Sequence, residues 1–304
     1  MGRNYFLDKD IIKDKNDNIY VIITNYNPPG YIFAYLKYTY TGKGLWKGYE
    51  RIFKKYGVKN LIKIEQNFEY EPCYNSAFPV VKLSEIRVHY RPEDKIKEIL
   101  HRTTNRLEEI ALSIITKIER ETNIPLNRIG LTGSLLAGIS HDNSDIDFVI
   151  YGKKYAEDFI NNFEGFEQDK DWIIETSENY SVPIEVVKAI YSKKTRGQYN
   201  GVKYSFLFVD DQPWKYNEKV CLEMNPIKVK GENISDYKAL FYPSVSTLYS
   251  QGKVFRIVSY EGIYNTALYY NKNIEVYGML MKCNDDMEII VGDKKIGGYI
   301  RSIM

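Results

Sequence analysis

Cysteine, histidine and tryptophan are scarce in this chain, with three of each among 304 residues. Cys73, Cys221 and Cys283 lie far apart and show no paired spacing, which argues against a zinc ribbon or a disulfide framework and fits a reducing interior. His89 and His101 have no metal-ligand spacing either. No apolar run approaches the ~20 residues needed to cross a bilayer. The opening residues MGRNYFLDKDIIKDK are charged from the outset, so they lack the apolar core of a signal peptide, and the sixth position is not the Ser or Thr that myristoylation prefers. A strong net charge is missing too: +2 in total excludes a polybasic coat. The expectation is a soluble, cytoplasmic protein with no membrane partner. Its oligomeric state is left open.

Hydrophobic residues make up 44% and charged residues 27%, enough for a sizeable core, and the length suits two or three domains. Residues 1–92 carry 15 Lys/Arg against 9 Asp/Glu, so the basic excess is concentrated there and the remainder is mildly acidic. Tyrosine is abundant, at 28 residues. Cross-strand packing accounts for most of them better than a base-stacking surface does.

Three segments are legible. Residues 1–91 read as a β-rich module: IYVIIT over 19–24, the turn NYNPPG, then the aromatic strand YIFAYLKYTY over 31–40. Pro92, Glu93 and Asp94 open a helix. Apolar residues from Ile96 to Ile118 at three- and four-residue steps predict one long helix running to about Thr122. Strands over 128–132, 148–151 and 202–209 alternate with helices over 153–163 and 184–191, which makes 92–216 an α/β domain. Residues 217–304 return to short strands and turns, the pattern of a small β-barrel-like domain of oligonucleotide-binding type. The fold class is therefore α+β.

Residues 131–148, LTGSLLAGISHDNSDIDF, carry the chemistry. Gly133 allows a tight turn and close approach of a ligand to the backbone. Ser134 and the amides of Leu135–Gly138 begin a helix, where free N–H groups and the dipole attract phosphate. Asp145 and Asp147, two residues apart on a strand, put both carboxylates on one side. Left alone they repel each other; a divalent cation relieves that, and Mg2+ commonly takes one or two carboxylates together with substrate phosphates. Lys193 and Arg196, in the basic turn KKTRGQYNG, are candidates for the triphosphate. His141, in the loop before the acidic pair, is near enough in sequence to touch a ligand, and Asp142 shapes the turn with Asn143 and Ser144.

Gly133-Ser134, then Gly138, then Asp145-Ile146-Asp147 resembles the signature of the DNA polymerase β-type nucleotidyltransferase superfamily. The resemblance implies that Gly133 and Ser134 hold the β/γ phosphates of a nucleoside triphosphate. It also implies that Asp145 and Asp147 coordinate two catalytic ions, Mg2+ or Mn2+. NPPGYIFAYLKY, IVSYEGIYN and EVYGMLMKCNDDMEIIVGDKKIGGYI are similar to an uncharacterised group of predicted archaeal nucleotidyltransferases, in which a β module precedes the catalytic domain and a small β domain follows it.

That family adds a third carboxylate from a later strand. The matching position on the strand over 202–209 is Ser205. Asp210 or Asp211 through a bulge, or Glu175 or Glu185 from elsewhere, are the replacements the sequence offers, with Asp210 the first choice; otherwise the third ligand is missing. Two readings follow. One is a metal-dependent transferase moving NMP from an NTP to a hydroxyl acceptor, such as RNA or DNA. The other is a catalytically weak or inactive protein of the same fold that binds nucleotide or nucleic acid.

Overall fold

The computed structural model describes residues 3–216 and 219–303. The chain is mixed α and β, with three sheets and two compact units. The first unit gathers residues 1–52, 81–170 and 192–214, and the second gathers 53–80, 171–191 and 215–304. This division differs from the expected segments 1–91, 92–216 and 217–304. Most of the N-terminal β-rich segment belongs to the same unit as the Gly133–Asp147 motif.

In the first unit an antiparallel sheet takes the spatial order Gly48–Arg51, Tyr31–Gly44, Ile19–Ile22, Ile11–Asp14, Ile86–Tyr90. Ile11, Ile19, Val21, Tyr38 and Tyr49 on one side of it pack with Leu136, Ala137 and Ile139 of the motif. Shared apolar burial is what joins the N-terminal strands to the motif in one unit.

The second sheet of this unit runs Glu167–Gln168, Arg196–Tyr199, Val202–Val209, Ile146–Tyr151, Ile129–Thr132. Val202–Val209 and Ile146–Tyr151 are parallel, and the other pairs are antiparallel. Strand alternation gives the sheet two different faces. On one, Phe148 stacks on Phe206 at 4.8 Å, and Phe159 of the helix Lys153–Asn162 meets Phe206 at 4.6 Å. The other face carries Asp147, Val149 and Tyr151 beside Ser205 and Val209; Leu7 and Tyr5 cover its Val149–Tyr151–Val209 end. Asp147 thus lies toward the end of the face that these two residues do not cover.

The long helix expected from Pro92 to Thr122 is two helices, Pro92–His101 and Arg106–Thr122. The apolar period continues through both, but Asn105 is in an extended conformation and its side chain accepts the Glu108 N–H, starting a new helix. Lys95, paired with Glu108 at 2.8 Å, ties the two helices together.

In the second unit, strands Cys221–Ile234, Ser244–Ser250, Lys253–Ser259, Asp286–Val291, Asn273–Cys283 and Tyr299–Ser302 form one sheet in that order, and Cys221–Ile234 also pairs with Asn273–Cys283. Lys253–Ser259 and Asp286–Val291 are parallel. The helix Asn265–Tyr270 and the helix Ile184–Ile190 contribute Leu268 and Ile190 to the core beneath this sheet. Cys221 and Cys283 are not independent thiols as expected: they are register partners joined by a disulfide, while Cys73 is free and buried. A separation of 62 residues concealed a pairing that only the antiparallel register creates.

Glu261 is buried, and its Oε1 accepts the Val58 N–H at 3.0 Å. Burial pushes its carboxyl from 4.5 up to about 7. A carboxyl raised in the folded state binds more protons folded than unfolded across that window, so stability falls as pH rises from about 4.5 to 7, by on the order of 3 kcal/mol. Glu261→Gln keeps an acceptor without the charge and should flatten this part of the melting-temperature profile. A wild-type profile already flat from pH 5 to 8 would contradict the assignment.

Candidate active site

The short helix Gly133–Leu136 begins directly after the strand Ile129–Thr132. Gly133 has φ +67°, and a Cβ placed there would lie 2.4 Å from the Asp147 Oδ2. Only glycine accepts both the backbone angle and the carboxylate at that distance. Thr132 and Ser205 are the register partners of Asp147 on the two neighbouring strands, so the three side chains share a face. The Ser205 hydroxyl donates to the Asp147 Oδ1. Asp145 stands just before the strand, exposed, and Ser144 beneath it is buried. The loop is braced by the His141 N–H donating to the Ser144 Oγ at 3.0 Å and the Ser144 N–H donating to the His141 carbonyl at 2.9 Å.

The structure therefore brings Gly133, Asp145 and Asp147 together, with Ser134 buried on the adjoining turn. The Asp147 charge above all raises the Asp145 carboxyl above the ordinary carboxylate range, partly offset by the charges of Lys37 and Arg51. Two neighbouring carboxylates, with hard oxygen donors on one side of a strand end, are a donor set suited to a divalent cation.

Arg196 is in register with Ser205 and so lies on the acidic pair's face, with its Nη1 donating to the carbonyls of Thr195 and Phe206. Lys193 is placed elsewhere. Its carbonyl accepts the Tyr204 hydroxyl at 2.6 Å, and Tyr204 alternates with Ser205 onto the opposite face. Asp210 is also remote. It follows Val209, which pairs with Tyr151, and so lies five residues beyond Ser205, about 16 Å at the strand's rise. Its carboxylate accepts the Trp214 indole N–H at 3.0 Å, so no bulge returns it to Asp147. Asp211 is paired with Arg128, and Glu175 and Glu185 lie on helices of the second unit. Among the described residues, Asp145 and Asp147 belong to no group of three His, Cys, Asp or Glu whose ligand atoms all lie within 4.8 Å of one another.

The N-terminal sheet supplies what the motif alone does not reveal. Lys47 Nζ donates to the Gly138 carbonyl at 3.0 Å, the Trp46 ring lies 5.5 Å from that of His141, and the Thr132 hydroxyl donates to the Lys9 carbonyl at 2.7 Å. His141 is thus part of a packing contact. Lys37, on Tyr31–Gly44, and Arg51, on Gly48–Arg51, put two cations in the field of the acidic pair. Burial, then the Arg51 charge, lower the Lys37 ammonium against the pull of Asp147 and Asp145. The Tyr38 phenol, in register with Arg51, is pushed up to about 12 by burial. The basic excess of residues 1–92 was the only sequence signal for this role.

Residues 113–208 match the family model of the nucleotidyltransferase domain. An uncharacterised protein of Methanocaldococcus jannaschii is 23% identical over 312 residues, covering 91% of both chains. No solved structure matches. The motif, the strand that carries it and Ser205 all fall inside the matched region, so this part of the chain is similar to a nucleotidyltransferase domain.

Gly133→Ala should destabilise the protein by more than ~1 kcal/mol, because the new Cβ meets Asp147 and the backbone is left-handed. Restoring stability by adding Asp147→Gly to it would show that the carboxylate is the obstacle; equal melting of wild type and Gly133→Ala would contradict the close approach. Asp147→Asn should bring the Asp145 carboxyl down toward its ordinary range, and carbon-detected NMR titration reads this directly.

Proposed function

Taking a chain with a nucleotidyltransferase domain as the premise, we propose that this protein is a divalent-metal-dependent transferase that moves NMP from an NTP to a hydroxyl acceptor. The observation that carries this reading is the acidic pair at the strand head, pressed against the Gly133 turn and faced by Lys37 and Arg51. Asp145 and Asp147 would hold Mg2+ or Mn2+. When bound, such ions supply charge stabilisation to the attacking and leaving oxygens. Gly133 lets the triphosphate approach the backbone, and Ser134 with the following amides offers donors to its β and γ phosphates. Lys37, Arg51 and Arg196 add positive charge where negative charge builds up during transfer, a placement that costs no rearrangement in the reaction.

A second reading rests on one feature. Where the superfamily uses a third carboxylate, this chain has Ser205, whose hydroxyl is already donated to Asp147. A hydroxyl that fixes Asp147 orients a metal ligand but adds no negative charge for the ion nearest the acceptor. This favours slow chemistry, or a protein that binds nucleotide without turnover.

The acceptor is read from the second unit. In Cys221–Ser302 the first strand pairs with both the second and the fourth, and the third and fifth are parallel. A helix sits between the third and fourth strands. That order supports an oligonucleotide-binding type of barrel, with nucleic acid as the acceptor class.

The deciding assay incubates the protein with Mg2+ or Mn2+ and each labelled NTP, offering RNA, single-stranded DNA and the protein itself as acceptors. The expected outcome is metal-dependent labelling of nucleic acid that falls at least a hundredfold in Asp145→Asn/Asp147→Asn, while the fold is retained. Metal-dependent NTP binding without transfer would select the second reading. Ser205→Asp should then raise the rate; an unchanged rate would show that the missing carboxylate is not what limits the chemistry.

A further inference from the structure

Three neighbouring strands of the second unit carry an unusual row of side chains. Lys228 is in register with Tyr277, and Tyr277 with Tyr299; one step along, Lys230 pairs with Glu275 and Glu275 with Arg301. All six lie on one face, because register partners and every second residue share a side. Their immediate neighbours Val229, Ile274, Val276 and Ile300 point to the other face and are buried in the core.

The six form an aromatic strip, its two rings half-buried and tilted 43° to each other, with cations along it. The Tyr277 and Tyr299 rings are 5.7 Å apart. Lys228 Nζ lies 6.0 Å from one ring centre and 5.9 Å from the other, and the Arg301 guanidinium lies 5.8 Å from Tyr299. Glu275 is buried at the centre, where its Oε1 accepts the Tyr299 hydroxyl at 2.7 Å, with Arg301 at 2.7 Å and Lys230 at 3.4 Å. These bonds hold Tyr299 and Arg301 in place, yet the side chains of Lys230 and Arg301 remain 63% and 48% exposed. Three cations stand against one carboxylate, leaving the strip positive by two charges.

We infer that this face binds single-stranded nucleic acid, with bases on Tyr277 and Tyr299 and phosphates on Lys228, Lys230 and Arg301. Unpaired bases offer π-faces to such a strip whatever their sequence, and the cations track the backbone beside them. A duplex hides its base faces and offers phosphates alone, so the tyrosines select against it. The inference stands on this face alone and does not require that the acidic pair be catalytically active.

The test is fluorescence anisotropy on the full chain, in chelator and without nucleotide. The probes are a labelled oligouridylate, the corresponding oligothymidylate and a duplex of the same length. Single strands should bind and the duplex should bind at least tenfold more weakly. Tyr277→Ala and Tyr299→Ala should each weaken single-strand binding about tenfold, whereas Tyr277→Phe, which keeps the ring, should not. Lys228→Glu should weaken binding and flatten its dependence on log salt by roughly 0.7 or more. Should Tyr299→Ala fail to fold through loss of its bond to Glu275, Tyr277→Ala and Lys228→Glu carry the test. Preference for RNA, for DNA or for neither identifies the strand and supports the inference in each case. Absence of single-strand binding, equal binding of duplex, or wild-type affinity in Tyr277→Ala and Lys228→Glu would overturn it. The Asp145→Asn/Asp147→Asn protein should bind the oligomer as wild type does, which separates this surface from the transfer site; loss of binding there would assign the strand to the acidic pair instead.

Discussion

Two carboxylates at the head of one strand repel each other, and the surroundings of Asp145 and Asp147 are organised about that repulsion. Asp147 lies against a position that only glycine can occupy, and it accepts the Ser205 hydroxyl from the adjacent strand. Asp145 stays exposed, where solvent or a ligand reaches it. Lys37 and Arg51 offset part of the charge from the N-terminal sheet. Each partner relieves some of the electrostatic cost, and the Asp145 carboxyl is still raised. Two carboxylates side by side form an oxygen donor set of the kind that suits a cation.

The N-terminal strands are consequently part of the site's construction. Their apolar side packs on Leu136, Ala137 and Ile139, which immobilises the turn that carries Gly133 and Ser134. Lys47 then fixes the Gly138 carbonyl, and Thr132 is tied to the Lys9 carbonyl. A turn of four helical residues has little stability of its own, since helix nucleation costs more than so few bonds return. Here tertiary packing supplies what the local sequence does not.

The second unit solves a different electrostatic problem. Glu275 and Glu288 are both buried in its sheet, and each is matched by cations: Lys230 and Arg301 for the first, Lys219 and Arg256 for the second. A buried carboxylate without such partners would be costly. Placing the cations at the rim of the sheet satisfies the glutamates and leaves positive charge facing outward, beside Tyr277 and Tyr299.

By itself the sequence determined what depends on neighbours in the chain. The Gly-Ser turn, the spacing of Asp145 and Asp147, the strand of Ser205 and the alternation of helices and strands over the matched region are local patterns, set by backbone freedom and side-chain period. That Ser205 stands opposite Asp147 follows from the parallel register of their two strands. Tertiary structure decided the rest. The break at Asn105 lay hidden under an uninterrupted apolar period, and the Cys221–Cys283 bond needed the register of two strands to bring together cysteines 62 residues apart in the chain. Asp210 was drawn away to Trp214, and the Lys193 carbonyl is held by the Tyr204 hydroxyl. Lys37 and Arg51 entered the site from strands about a hundred residues earlier. Charge acts through space, so which cations meet a carboxylate follows from how the sheets pack, and no local pattern records that.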